Sequence, residues 1–186
     1  MRIFLGGVSC VGKTTIGKRL AEEVEYKFFD LDCEVESYYG KPIEFLQTEF
    51  VSMDAYRKKA ADVLEKIIAS NSDNYVIALP PSGFRDVYWK KIQIVNPVTI
   101  VLADRAKNIL KRIEFFDQYS KPLDKRELTE SEEKHYLREI SLDIEYYARF
   151  YAKANYRIKV AGRDVDVVVR NIREILGLFE TWIESI

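Results

Sequence analysis

An α/β fold, a parallel sheet with helices on both faces, is what the sequence predicts, on three grounds. Short apolar runs alternate with helical patterns along the chain, the order in which crossover helices join parallel strands. Several runs are apolar on consecutive residues, as strands buried on both faces are. The first run leads into Gly7-Val8-Ser9-Cys10-Val11-Gly12-Lys13-Thr14, a complete G-x-x-x-x-G-K-[ST] phosphate-binding loop. That loop lies at the carboxyl end of the first strand, where such sheets place their ligands.

The strands are expected at residues 3–5, 27–31, 75–79, 98–102 and 156–160, and the helices at 13–23, 52–69, 105–115, 131–152 and 165–182. Ile3-Phe4-Leu5 enters the loop and the pattern from Thr15 to Glu23 leaves it as a helix, the setting the motif requires. Backbone N–H groups of the loop, from Gly7 and Ser9 through Cys10, Val11 and Gly12 to Thr15, and the positive helix end form an anion cradle. Lys13 reaches the terminal phosphates and the Thr14 hydroxyl completes a magnesium shell, so a nucleoside triphosphate is expected. Asp30-Leu31-Asp32 ends the second strand. Residues two apart in extended chain share a face, which aims both carboxylates at one site. One then orders magnesium, Asp30, and the other, Asp32, accepts a proton from an attacking hydroxyl. Residues 117–133 are densely charged and broken by Pro122, which predicts a mobile surface excursion, a closing lid if the protein is a kinase.

Composition bounds the rest. The chain has 186 residues, enough for one continuous domain over its whole length, and no repeat or linker divides it. Net charge is −1 and the pI is ≈ 6.0, with no basic run to recruit nucleic acid. No apolar stretch is long enough for a membrane span, and the N-terminus passes straight into a strand, leaving no room for a signal peptide. Two cysteines, Cys10 and Cys33, are too few for a disulfide framework, and a reduced cytoplasmic setting is expected, with Cys33 a passive buried thiol. The single histidine, His135, sits among charges and reads as a surface residue. Further cationic candidates are Arg57 on the long helix after Phe50, Arg149 within the aromatic run from Tyr146 to Tyr151, and Arg105 and Arg112 before the lid. Arg149 is a candidate to clamp an anionic substrate, core or interface packing of its aromatic cluster being the alternative, and Arg105 or Arg112 to stack on adenine or touch phosphates; for these two and Arg57 the alternative is an ordinary exposed helical position.

With the loop, the acidic pair, Arg57 and Lys121-Pro122-Leu123 in view, the chain resembles the shikimate kinase family over most of its length. The match includes Phe29-Asp30-Leu31-Asp32, then Glu36 followed by Gly40 and Ile43, Tyr56-Arg57 for Phe-Arg, Val76-Ile77-Ala78-Leu79, and Tyr151-Ala152-Lys153-Ala154-Asn155. The resemblance implies a three-layer P-loop kinase fold, with a five-stranded parallel sheet and a moving lid, and ATP and Mg2+ as co-substrates. It implies that Asp32 acts as base on the acceptor hydroxyl, that Arg57 holds a substrate carboxylate, and that Lys121 arrives on the lid. It points to a small-molecule hydroxy acid as partner, shikimate by default, and to a monomer or weak homo-oligomer.

The departures fall where the acceptor sits. The family's three glycines are Pro80-Pro81-Ser82 with Gly83 following, and proline offers no N–H; Pro81 and Ser82 are the nearest substrate contacts. The second carboxylate-binding arginine aligns with Tyr147, and Arg149 projects about 200° around the helix from it. The lid arginine is Lys121 and the glutamate after Phe-Arg is Ala60. Another acceptor, such as a sugar acid or a nucleoside monophosphate, and a non-catalytic nucleotide binder are the alternatives.

Overall fold

The computed structural model describes residues 1–124 and 126–178. Its sheet holds five strands, β1 (Arg2–Gly6), β2 (Lys27–Asp30), β3 (Tyr75–Ala78), β4 (Val98–Ala103) and β5 (Tyr156–Lys159). They lie in the order β2-β3-β1-β4-β5, and every pairing is parallel. The order follows apolarity. Tyr75-Val76-Ile77-Ala78 is buried throughout and lies inside the sheet, whereas β5 buries only Ile158 and forms an edge. Ile3, Phe4 and Leu5 of the central strand are fully buried and anchor the core.

The helices are α1 (Lys13–Glu23), α2 (Leu31–Tyr39), α3 (Ile43–Glu49), α4 (Met53–Ser70), α5 (Asp86–Gln93), α6 (Ala106–Leu110), α7 (Glu130–Tyr151) and α8 (Val165–Leu176). The stripe Ile16, Gly17, Leu20 and Ala21 packs α1 on the sheet, and Val168, Val169 and Ile172 form the buried face of α8, which lies against α1. Among the described residues, no helix is long and apolar enough to cross a membrane.

Several boundaries differ from expectation, each for a local reason. The second strand stops at Asp30, because the Asp30 side chain accepts from the Asp32 backbone N–H at 3.1 Å and caps α2. Helix α2 was invisible to periodicity, since Leu31 and Val35 are its only buried residues; the short α3 and α5 were likewise not expected. The helix expected over 105–115 closes at Leu110, after which Arg112 folds back on Asp104. The last helix ends at Leu176, capped by the N–H of Gly177, and positions 179–182 of its expected span lie outside the described residues.

The excursion expected at 117–133 runs instead over residues 111–129. A narrow turn inside it is tied by Asp117 N–H to Lys121 O at 2.9 Å, by Leu123 N–H to Phe115 O at 2.8 Å and by a bridge between Phe116 and Pro122. Thr129 and Glu132 form a reciprocal capping box that starts α7 at Glu130, so Glu130, Glu132 and Glu133 belong to the helix. Lys125 lies outside the described residues.

Candidate active site

The phosphate loop leaves the buried end of β1 at Gly7, whose φ of 142° and close approach to Leu102 O, 2.7 Å from where a Cβ would lie, admit only glycine. Val8 and Val11 are buried beneath the loop, while Ser9, Cys10, Gly12, Lys13, Thr14 and Thr15 line a cleft of about 1520 Å³. That volume exceeds the several hundred Å³ of a typical one-ligand pocket, leaving room for a nucleotide and a second small molecule. Asp30, Asp32, Pro81 and Arg112 share the cleft, and Ser120 and Pro122 bring the 111–129 excursion to its edge.

Four ionisable or polar groups are wired together on its floor. Lys13 Nζ donates to Gly7 O at 3.0 Å and Val8 O at 2.9 Å, curling over the loop. Burial pushes its pKa down to about 8, against the pull of Asp32 and Asp30. Thr14 Oγ1 donates to Asp30 Oδ2 at 2.6 Å, and the other Asp30 oxygen is the α2 cap. Asp32 is pushed up to about 6, first by burial and then by the Asp30 charge, while Lys13 acts the other way. The two carboxylates therefore converge through a strand end and a helix turn, a correction to the extended D-x-D geometry expected from sequence.

A hydroxyl and a carboxylate in contact are hard oxygen donors, and among the described residues no cluster of three or more metal-ligating side chains exists. Such a sparse set fits magnesium, which keeps waters and takes phosphate oxygens as its remaining ligands.

Arg112 is held beside the loop. Its Nη2 meets the fully buried Asp104 carboxylate at 2.6 Å and its Nε reaches Cys10 O at 3.4 Å. Burial alone would raise the Asp104 pKa, but Arg112, Asn108 and the Arg105 N–H hold it below the ordinary value. Asp104 and Glu36 were not read as functional from sequence. Glu36 accepts from Ile43 N–H at 2.8 Å and from the Ser120 hydroxyl, tying α2 to the excursion. Cys33 is exposed on the cleft wall, a correction to the buried thiol expected; desolvation and the charges of Asp30, Glu36 and Asp32 push its thiol up.

Other candidates stand back from the cleft walls. Lys121 is exposed, its backbone N–H bonded to Asp117 Oδ1 at 2.9 Å. Ser82 is buried in the turn after β3, and Arg105 is exposed at the start of α6. Arg57 pairs with Asp54 at 2.8 Å, its Nε buried without a partner. Arg149 is exposed and stacks 4.7 Å over Phe150.

A family model described as shikimate kinase matches residues 9–176. The shikimate kinase of Clostridium botulinum is 33% identical over 176 residues, which cover 94% of this chain and 96% of that protein. The crystal structure of shikimate kinase from Bacteroides thetaiotaomicron superimposes with a TM-score of 0.77 at 24% identity, covering 95% of this chain and 98% of that one, and so shares the fold. The pentafunctional AROM polypeptide of Schizosaccharomyces pombe is 40% identical over 76 residues, 41% of this chain, and the chain covers only 5% of that protein. With the loop, the acidic pair and the sheet order in agreement, the chain belongs to the shikimate kinase family, ATP-dependent kinases of small molecules.

Proposed function

We propose that this protein transfers the γ-phosphoryl group of ATP to a hydroxyl of a small hydroxy acid, with shikimate giving shikimate 3-phosphate as the leading acceptor. The observation that supports this most is the wired floor of the cleft. Asp32, at about 6, is ionised at neutral pH yet basic enough to accept a proton, and it stands next to a phosphate cradle. In this reading, Asp32 takes the acceptor's hydroxyl proton as its oxygen bonds to the γ-phosphorus. The bond from that phosphorus to the bridging oxygen breaks, and ADP leaves. Lys13 swings from the Gly7 and Val8 carbonyls onto the phosphates, where its ammonium offsets their charge, and the loop N–H groups hold the anion. Thr14 and Asp30 would hold magnesium, which would neutralise phosphate charge. Arg112 packs against the nucleotide, Arg57 takes the acceptor carboxylate, and Lys121 comes in as the excursion closes as a lid.

The departures supply a second acceptor class. Pro80 and Pro81 offer no N–H groups where family members carry glycines, Tyr147 stands in for an arginine, and the buried Ala60 in place of a glutamate leaves one polar contact fewer. These changes remove contacts to shikimate, and the second reading is a kinase of the same fold for another acceptor, a sugar acid or a nucleoside monophosphate. A coupled ADP-release screen with magnesium-ATP and a panel of hydroxy acids, shikimate and gluconate included, tests both. Release that depends on one added hydroxy acid supports the kinase and names its acceptor. Nucleotide binding without acceptor-dependent release makes the protein a non-catalytic binder. The protein is proposed to act as a single-domain cytoplasmic monomer or weak homo-oligomer.

A further inference from the structure

Arg57 has a cationic neighbour that no sequence spacing reveals. Arg85, the residue preceding α5, comes directly after the Pro80-Pro81-Ser82-Gly83 turn and Phe84. Its backbone is fixed at both ends. Its N–H donates to Ser82 O at 2.8 Å, and its carbonyl accepts from Tyr88 and Trp89 at 3.0 and 2.9 Å. The guanidinium crosses the Phe150 ring at 5.6 Å, donates to Tyr146 OH at 3.0 Å and comes within 3.6 Å of Asp54 Oδ1. That same oxygen accepts from Arg57 Nη1 at 2.8 Å.

Two guanidinium groups from separate elements thus meet on one carboxylate oxygen. We propose that Arg57 and Arg85 form a two-arginine clamp for the acceptor's carboxylate, Arg85 replacing from the start of α5 the arginine that Tyr147 displaces on α7. This rests on the hydroxy-acid kinase reading above. Asp54 is 71% exposed at its side chain, whereas Arg57 and Arg85 are 15% and 25% exposed, so the carboxylate now between them is the loosest of the three. It is a placeholder that an incoming carboxylate supplants. Arg57 Nε is buried with no acceptor, and Nε with an Nη is the pair that a carboxylate takes side-on.

The clamp also lies on the right side of the molecule. The phenols of Tyr56 and Tyr88 feel both Asp32 and Arg57, and that of Tyr147 feels Arg57 and Arg85. Asp32 and Arg57 therefore flank the same two buried tyrosines, and Arg57 and Arg85 share Tyr147. The acceptor this favours carries its reacting hydroxyl at one end and its carboxylate at the other. Arg149 does not share that position: it is exposed, and its guanidinium lies over the Tyr146 and Phe150 rings at 5.6 and 4.7 Å.

The test measures kcat, the acceptor KM and the ATP KM for wild type, Arg85→Ala, Arg85→Lys and Arg149→Ala. The probes are shikimate, shikimate methyl ester and gluconate. Losing a charge-assisted contact corresponds to about a ten- to hundredfold rise in acceptor KM. Arg85→Ala is expected to show that rise for the carboxylate probes, with kcat and the ATP KM within about twofold. Arg85→Lys recovers part of it, and the ester binds weakly to every variant. If Arg85→Ala unfolds, Arg85→Gln, which keeps a donor toward Tyr146, is read in its place. Shikimate use that is indifferent to Arg85, or lost only in Arg149→Ala, overturns the clamp and leaves the kinase reading standing. Gluconate use that depends on Arg85 corrects the acceptor and keeps the clamp. Failure of wild type to bind or use either acid overturns both.

Discussion

Replacing Asp32 with asparagine should stabilise the ligand-free protein while removing its activity. The folded environment lifts the Asp32 pKa from an ordinary 3.8 to about 6, with burial the first cause and the Asp30 charge the second. Two units correspond to about 3 kcal/mol, and since Asp32 is only half-buried, solvent screening leaves about 2 kcal/mol. The sign is set by which state binds the proton more tightly. Below pH 3.8 folded and unfolded chains both carry it, and wild type bears no penalty. Between 3.8 and 6 the unfolded chain ionises first, so stability falls as pH rises. Above 6 both are ionised and the whole penalty is present. An asparagine is neutral throughout.

Urea unfolding at pH 7.5 should therefore show Asp32→Asn about 2 kcal/mol more stable than wild type, with the advantage gone at pH 3.5. ADP release by the same variant should fall about 10²- to 10⁴-fold, as for loss of a positioned base. In wild type, kcat/KM for the acceptor should rise with pH through about 6, where Asp32 ionises, and kcat/KM for ATP should decline above about 8, where Lys13 of the ligand-free enzyme loses its proton. A less stable variant at pH 7.5, or an advantage that is the same at both pH values, would refute the assignment of a strained carboxylate to this site.

Lys13→Met should leave the fold intact and lower turnover by about two to three orders of magnitude, measured by ADP release, since one lost contact to developing phosphate charge costs about 3–4 kcal/mol. Asp30→Asn keeps the α2 cap, because asparagine caps as well as aspartate. Its defect should therefore be metal affinity, relieved in part by raising magnesium in the same assay, and a loss that no magnesium concentration relieves would separate Asp30 from the metal. Hydrogen exchange over residues 111–129 should slow when nucleotide and acceptor bind together. Unchanged exchange would make that segment a plain loop and leave Lys121 without a catalytic role.

How much of this was legible depended on whether a feature is local. The phosphate loop is a run of consecutive residues with fixed steric demands, so the motif and its flanks were readable, as were the five strands to within one or two residues. The acidic pair was legible as a pair but not in its geometry. Asp30 is at once the last residue of β2 and the cap of α2, and a cap competes with strand continuation through a side-chain bond that periodicity does not see. The Asp104–Arg112 pair spans a helix end and a turn, and the buried carboxylate there looks in sequence like any loop aspartate. Arg85 was the least visible. Its meaning comes from Asp54, Tyr146 and Phe150, which only the tertiary fold brings to it.

Two of the departures around the acceptor, the Pro80-Pro81 turn and Tyr147, are one structural change. Gly83 packs so tightly that a Cβ there would fall 2.4 Å from Leu79 Cβ, and its N–H closes the turn on Pro80 O at 2.8 Å. Proline fixes φ at positions 80 and 81 and removes their N–H groups, so this turn cannot offer amides to a ligand as three glycines do, yet it forms a rigid mount for Arg85 just beyond it. The turn is also moored to α7, because Tyr151 OH donates to Pro81 O at 2.9 Å, and Tyr151 is itself propped by Tyr147, stacked at 5.8 Å and 25°. Tyr147 removes a guanidinium from α7 and, through Tyr151, steadies the mount from which Arg85 extends. In the proposed clamp, exchanging flexible amides and a helix arginine for one arginine on a rigid turn preserves a cation at the acceptor's carboxylate and narrows what else can bind. A substrate that relied on those amides loses them, while one recognised mainly by its carboxylate loses little. Under the proposed clamp, Pro80-Pro81 and Tyr147 thus select together for a hydroxy acid gripped at its charged end.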